Sequence, residues 1–148
     1  MKIIRSAILA LALCLPGFSS ARADANWLTD FQKAQQEAKA SHKLLLINFT
    51  GSDWCPWCIR LHREVFSQNE FADYAKNNLV LVVADFPRAK PVSREVRKQN
   101  SELAQRFNVE GFPTIVVLNG DGKEVAELGY MPGGPSAFIA ELKKLPKS

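Results

Sequence analysis

The sequence predicts one α/β domain built on a central four-stranded mixed sheet with helices on its faces. Two short, almost wholly apolar runs, residues 44–49 and 79–84, lie on either side of a helical stretch. That order favours two parallel strands joined by a right-handed crossover, since strands buried on both faces read as continuous apolar runs. Two more strand-like runs, residues 114–118 and 123–128, flank Asn-Gly-Asp-Gly, a strong hairpin signal that adds an antiparallel pair.

The helices follow from apolar residues at helical spacing. Trp27, Phe31, Ala34 and Ala38 predict an amphipathic helix over residues 27–41. The other predicted helices cover residues 56–67, 70–76, 101–107 and 136–144. Residues 86–98 contain two prolines and five basic residues, and we expect an exposed polar loop there. A charged rim for an acidic partner is the alternative interpretation of these bases.

The first 23 residues have the features of a secretory signal peptide. A basic start is followed by an apolar stretch, by Pro16-Gly17 and by the small-residue pattern Ala21-Arg22-Ala23. A membrane-spanning helix needs roughly 20 consecutive apolar residues, and Pro16 interrupts this stretch before that length. We therefore predict cleavage after Ala23, periplasmic or secreted localisation, and one mature domain over residues 24–148.

Most of the formal net charge of +4 belongs to this signal. The chain has 19 Lys and Arg against 15 Asp and Glu, and three of the bases but none of the acids lie in residues 1–23. The predicted mature domain is therefore nearly neutral. A nucleic-acid partner is not expected, because that would require a basic stripe on the folded domain.

Cysteine usage points to chemistry rather than to scaffolding. Cys14 lies in the apolar stretch and would leave with the signal, unless it were a lipoprotein acceptor, for which Leu13 is an unfavourable preceding residue. The mature chain keeps Cys55 and Cys58, in a compartment where disulfides persist. A disulfide that closes so short a loop stabilises a fold little, since the stabilisation grows with loop length.

Cys55 and Cys58 have different predicted positions. Pro56 suits the first position of a helix, which places Cys55 at the N-cap. There the backbone N–H groups and the helix dipole favour a thiolate, although Asp53 would oppose it if its carboxylate pointed inward. Cys58 lies one turn inside the helix, and we expect it to be protonated and less exposed. These positions predict Cys55 as the attacking nucleophile and Cys58 as the resolving thiol.

Two cofactor hypotheses are weaker. Cys55, Cys58 and His62 could supply three metal ligands, but structural zinc favours four and no second cysteine pair exists. Covalent haem attachment would need a His directly after Cys58, where Ile59 stands. We therefore expect no metal and no other cofactor.

The chain resembles the thioredoxin superfamily over nearly all of its mature length. The matching parts are the strand at residues 44–49, the helix start Trp-Cys-Pro-Trp-Cys at residues 54–58, and Gly-Phe-Pro-Thr at residues 111–114. Residues 49–55 look most like the small exported thioredoxin-like proteins and the thioredoxin-like domain of membrane electron-transfer reductases. This resemblance implies the thioredoxin fold.

The resemblance also implies roles for residues around the cysteines. It implies a cis peptide bond before Pro113, a substrate-binding position of Pro113 against the cysteine pair, and a Phe112 backbone that binds an extended substrate peptide. Trp54, Pro56 and Trp57 are further substrate-binding candidates, because the two large aromatic residues flank the nucleophile and offer a peptide an apolar surface. Thioredoxins carry a buried Asp behind the pair that helps to move the resolving proton, and Asn48 stands at that place. The Gly-Pro spacer of thioredoxins is also replaced here by Pro-Trp.

The sequence as a whole predicts an exported thiol-disulfide oxidoreductase that acts on protein disulfides through Cys55 and Cys58. We favour reduction or isomerisation over oxidation, because a reductive task in an oxidising space requires a dedicated carrier. Its expected partners are exported proteins with cysteines or disulfides and, by resemblance, a membrane-embedded thiol reductase as electron donor. The alternative is a thioredoxin-fold binding module that holds a protein or a copper ion without redox turnover.

Overall fold

A five-stranded mixed sheet forms the centre of the computed structural model, which describes residues 25–147. The strands are β1 (Trp27–Leu28), β2 (Leu44–Thr50), β3 (Leu79–Asp85), β4 (Thr114–Leu118) and β5 (Glu124–Leu128), and the helices are α1 (Phe31–Ser41), α2 (Pro56–Leu61), α3 (Asn69–Asn78), α4 (Arg94–Arg106) and α5 (Gly134–Leu142). A π-helical turn, His62–Phe66, continues α2. The predicted signal peptide and Cys14 lie outside the described residues.

The spatial strand order is β1-β3-β2-β4-β5. Strand β2 pairs in parallel with β3 and antiparallel with β4, and β4 and β5 form the predicted hairpin. All seven residues of β2 are buried. Leu44 and Leu46 belong to the core layer under α2, α3 and α5, whereas Leu45 and Ile47 belong to the layer under α1 and α4. The predicted parallel pair, the hairpin and the buried central strand are therefore confirmed.

The sheet has five strands rather than the predicted four, and the helix predicted from residue 27 begins at Phe31. Trp27 and Leu28 instead pair in parallel with Leu81 and Val82. Asp30 ends this strand, because its carboxylate accepts from the Lys33 N–H at 3.0 Å and caps α1. The apolar spacing of this segment fits a helix and an extended start equally well. Pairing with β3 decides between them.

The predicted polar loop of residues 86–98 is also too long. Helix α4 begins at Arg94, because the Ser93 hydroxyl caps it by accepting from the Val96 N–H at 3.2 Å. Only Asn100 and Leu103 of α4 are buried, and Leu103 lies in its second half, which explains why residues 94–100 carry no apolar stripe and were not predicted as helix. The helix predicted to run unbroken from residue 56 to 67 changes to π geometry at His62.

Within residues 25–147, no helix combines the length and the apolar composition needed to cross a membrane.

Candidate active site

Cys55 and Cys58 form a disulfide at the start of α2, with their Cα atoms 5.2 Å apart. Cys55 is the N-cap, with extended backbone angles of φ −86° and ψ 110°, and Pro56 takes the first helical position. The Cys58 N–H donates to Cys55 Sγ at 3.2 Å. The predicted N-cap is therefore confirmed, and the sulfur of Cys55 lies where the positive end of the helix stabilises a thiolate.

The loop before the cysteines turns on Gly51. Its carbonyl accepts from the N–H groups of Trp54 at 3.2 Å and of Cys55 at 2.9 Å. The indole of Trp54 lies directly over Gly51, and a Cβ at this position would overlap the ring. Gly51 is therefore required because it has no side chain, which leaves space for the Trp54 indole.

Hydrogen bonds tie this loop to residues 85–89, which we call the tethered loop. Ser52 donates to Asp85 through its N–H at 3.0 Å and through its hydroxyl at 2.6 Å. The Asp53 carboxylate accepts from the N–H groups of Arg88 at 3.0 Å and Ala89 at 2.7 Å. These two donors hold the pKa of Asp53 below its ordinary value, because they stabilise the ionised form. The carboxylate that would oppose the thiolate if it pointed inward is thus bound by the tethered loop.

Three aromatic rings extend the same flank. The Trp54 indole N–H donates to the Phe86 carbonyl at 2.8 Å. Phe112 packs edge-on against Trp54, with ring centroids 6.0 Å apart, and stacks on Phe86 at 5.1 Å. The Arg88 guanidinium lies 3.9 Å from the centroid of the Trp54 ring. The fold therefore brings together Trp54 and Phe112, two predicted substrate-binding residues, and the peptide bond between Phe112 and Pro113 is cis as expected.

On the other flank, Trp57 is half exposed and packs against Tyr130, with ring centroids 5.1 Å apart. The Arg60 guanidinium lies 5.5 Å from the Trp57 centroid and 5.0 Å from that of Tyr130. Glu64 joins them, since it accepts from Arg60 Nε at 2.8 Å and from the Tyr130 hydroxyl at 2.7 Å. We call these four residues the Trp57 stack.

The stack perturbs its own titrating groups. The hydrogen bond from Arg60, followed by that from Tyr130, lowers the pKa of Glu64. Donation to the Glu64 carboxylate raises the pKa of the Tyr130 hydroxyl, because ionisation would lose that bond. Sequence reasoning missed Arg60, Glu64 and Tyr130. The i, i+4 spacing of Arg60 and Glu64 was a usable signal for that pair, whereas no local pattern indicated Tyr130.

Asn48 is 8% exposed and lies on β2 opposite Ile115 of β4. Because side chains alternate along a strand, Asn48 is on the same sheet face as Leu44 and Leu46, the face that α2 covers. Its Oδ1 atom is buried and has no hydrogen-bond partner among the described residues. An unionised, unsatisfied acceptor therefore occupies the position for which a carboxylate was expected by resemblance.

The structure bears on the expected exposure of the two cysteines and on the metal site that was considered for them. Cys58 was expected to be less exposed than Cys55, but each is 4% exposed, because in the disulfide the two sulfurs cover one another. His62, the third ligand considered for a metal, has an exposed side chain. Within residues 25–147, no three His, Cys, Asp or Glu side chains are grouped to hold a metal ion.

Comparison with known proteins agrees with this geometry. A family model described as a thioredoxin-like domain matches residues 31–146. The chain is 36% identical over 123 residues to the disulfide bond reductase DsbH of Chlamydia pneumoniae, which covers 83% of this chain and 74% of that protein. It is 32% identical over 111 residues to the thiol:disulfide interchange protein DsbD of Vibrio cholerae, which covers 73% of this chain and 17% of that protein.

Among solved structures, one described as DsbH oxidoreductase superposes with a TM-score of 0.79 at 32% sequence identity. The superposition covers 91% of this chain and 93% of that one.

Proposed function

The chain belongs to the thioredoxin-like domain family and is a thiol-disulfide oxidoreductase, and we propose that it is exported and reduces or isomerises disulfides of other exported proteins. The observation that carries the exchange chemistry in this proposal is the N-cap geometry of Cys55. The Cys58 N–H already points at Cys55 Sγ in the disulfide, so the donor that would stabilise a thiolate is in place before reduction.

The reaction then runs in two exchanges. The Cys55 thiolate attacks one sulfur of the substrate disulfide, a mixed disulfide forms, and the leaving substrate sulfur takes up a proton. The Cys58 thiol loses its proton and attacks Cys55 Sγ, which closes the Cys55–Cys58 disulfide and releases the second substrate thiol. Two electrons have passed from the protein to the substrate. A dithiol of a donor protein must return them.

Two arguments support the reductive direction. Reduction in an oxidising compartment needs a carrier that is recharged from elsewhere, and a two-cysteine domain suits that task. The Chlamydia relative is named as a disulfide bond reductase. Similarity to part of the DsbD protein supports a membrane-embedded thiol reductase as the electron donor. Export is supported by the signal-like residues 1–23, and N-terminal sequencing of the mature protein should begin at Asp24.

The experiment that tests the proposal is a redox titration against glutathione, followed by tryptophan fluorescence because Trp54 and Trp57 are direct chain neighbours of Cys55 and Cys58. We expect one two-electron transition with a potential toward −270 mV, the reducing end of a range of about −270 to −120 mV for such pairs. A potential near −120 mV would contradict the reductive direction. A pair that does not exchange with glutathione would favour a binding module.

Single cysteine variants test the two roles. Cys55→Ser should abolish disulfide reduction, whereas Cys58→Ser should accumulate mixed disulfides with its substrates. If Cys58→Ser turns over normally, or if the trapped species are joined through Cys58 in Cys55→Ser, the assignment of nucleophile and resolving thiol is wrong.

A further inference from the structure

The bases of residues 88–98 are divided between two surfaces by the way α4 packs. Glu95 and Lys98 line a groove between α4 and α1, and Lys98 pairs there with Glu102 at 3.8 Å. Arg97 lies on the other side of α4 and lines a small cavity with Asp85, Phe86, Pro87 and Val92. Arg94 is three residues before Arg97 and four before Lys98, so it lies at the start of the helix between these two surfaces. The side of α4 nearest the tethered loop therefore carries bases without acids.

Arg88, Lys90, Arg94 and Arg97 form one exposed group, which we call the basic rim. None of the four makes a salt bridge to a carboxylate of the described residues. The positive N-terminal end of α4, which begins at Arg94, adds to their potential.

The acids nearest the rim are already engaged. Asp85 accepts two hydrogen bonds from Ser52, and Asp53 accepts from the backbone of Arg88 and Ala89. Both carboxylates bind the loops to each other. The backbone donors of Arg88 and Ala89 and, to a smaller extent, the charge of Lys90 lower the pKa of Asp53, so this carboxylate is ionised beside the rim. Four cations against these two carboxylates still leave the region with an excess of positive charge. A carboxylate of an approaching substrate would therefore be attracted to this surface.

The rim is also fixed relative to Cys55. The tethered loop is joined to residues 52–54 through Ser52, Asp53 and the Trp54 indole, and Cys55 follows directly in the chain. Arg88 itself lies over the Trp54 ring. A substrate segment bound along the basic rim would therefore place its adjacent cysteine near Cys55 Sγ, the attacking sulfur.

From this arrangement we infer that the protein selects disulfides flanked by acidic residues, whose Asp and Glu side chains are attracted by the basic rim. The inference rests on the proposed function, since it names the substrate class of the same site. Charges placed beside a reactive centre act mainly on the rate of productive encounter, and their effect is screened by salt.

The test compares three synthetic peptides that share one intramolecular disulfide and differ in four flanking residues, which are all Glu, all Ser or all Lys. The pre-reduced protein is mixed with each peptide, and its oxidation is followed by tryptophan fluorescence in stopped flow. At about 10 mM ionic strength we expect the second-order rate constant for the Glu peptide to exceed that for the Lys peptide about tenfold. The three rates should converge at about 0.5 M salt.

The rim variant Lys90→Gln/Arg94→Gln/Arg97→Gln should reduce the ratio of the Glu to the Lys peptide to about two or less, whereas its rate with the Ser peptide reports any damage to the site. Arg88 is left in place because it contacts Trp54. The matched control is Lys39→Gln/Lys123→Gln/Lys143→Gln, which removes three exposed cations near the opposite end of the sheet. The control should retain the wild-type ratio.

A ratio near one for the wild-type protein, or an equal loss of the ratio in the rim and control variants, would overturn the inference while leaving the oxidoreductase proposal intact. Failure of all three peptides to oxidise the protein would overturn both.

Discussion

The two flanks of the disulfide are built from different kinds of contact. On the Asp53 side, backbone N–H groups and a backbone carbonyl of the tethered loop bind the active-site loop. On the Trp57 side, the contacts of the stack are all between side chains, and Trp57 is half exposed. Backbone hydrogen bonds place a whole segment, whereas exposed ion pairs and ring contacts contribute little to stability. The first flank is therefore held in place by backbone hydrogen bonds, and we call it the fixed wall. The side chains of the second flank can rearrange more easily.

Gly51→Ala should break the fixed wall and have the largest effect on the fold. The new Cβ would overlap the Trp54 indole and displace it from the Phe86 carbonyl. Overpacking of this kind costs about 1–3 kcal/mol of the free energy of unfolding, measurable by urea denaturation. Gly111→Ala is the matched control, because a Cβ there meets nothing within 4 Å, and it should change stability by less than about 0.5 kcal/mol. Equal effects of the two variants would contradict the packing argument.

Asn48, which belongs to neither flank, bears on the proton that Cys58 loses in the resolving step. An amide cannot accept the proton of Cys58 as it attacks the mixed disulfide, so we expect the resolving step in single-turnover kinetics to accelerate from pH 6 to 8. Asn48→Asp should partly relieve this dependence, at a cost in stability because an unpaired buried carboxylate is unfavourable. A resolution rate that is flat over this range in both proteins would show that Asn48 has no part in the mechanism.

Asp53→Ala should loosen the tethered loop without removing the turn at Gly51. The amides of Arg88 and Ala89 lose their acceptor, and we expect their hydrogen exchange to accelerate at least about tenfold. The exchange rate at Ala126, in the β4–β5 hairpin, serves as an internal reference. Unchanged exchange at Arg88 and Ala89 would show that Asp53 does not hold this loop.

The same carboxylate predicts a pH dependence. Because folding lowers the pKa of Asp53 below 3.8, its contribution to stability is present at neutral pH and is lost as the pH falls through the lowered value. The difference in unfolding free energy between wild type and Asp53→Ala should therefore shrink at acid pH. A difference that stays constant down to about pH 2 would contradict the assigned role of the ionised carboxylate.

Tyr130→Phe should have the smallest effect, because it removes a single side-chain hydrogen bond of the Trp57 stack. The pKa of Glu64, followed by NMR, should rise toward its ordinary value, and it should rise further in Arg60→Ala because Arg60 is the larger cause of the shift. Tyr74→Phe, whose hydroxyl does not contact Glu64, should leave that pKa unchanged. The interpretation fails if Tyr130→Phe shifts the pKa of Glu64 more than Arg60→Ala does.

Local patterns in the sequence were enough for the centre of the fold. The apolar runs predicted β2 and β3, the Asn-Gly-Asp-Gly turn predicted the β4–β5 hairpin, and Pro56 predicted Cys55 as the N-cap. Each depends on residues within a few positions of one another. The cis bond at Pro113 was accessible only through resemblance to a family, since its own sequence does not require it.

The cysteine pair and its position at a helix start follow from the sequence alone, because capping acts over three residues. Tertiary structure alone decided the surroundings of that pair. Asp53 accepts a hydrogen bond from Ala89, 36 positions away, and Glu64 accepts one from Tyr130, 66 positions away. Strand β1 forms because Trp27 and Leu28 pair with β3. Contacts at such separations depend on how the sheet and helices pack, which leaves no periodic mark on the segments that make them.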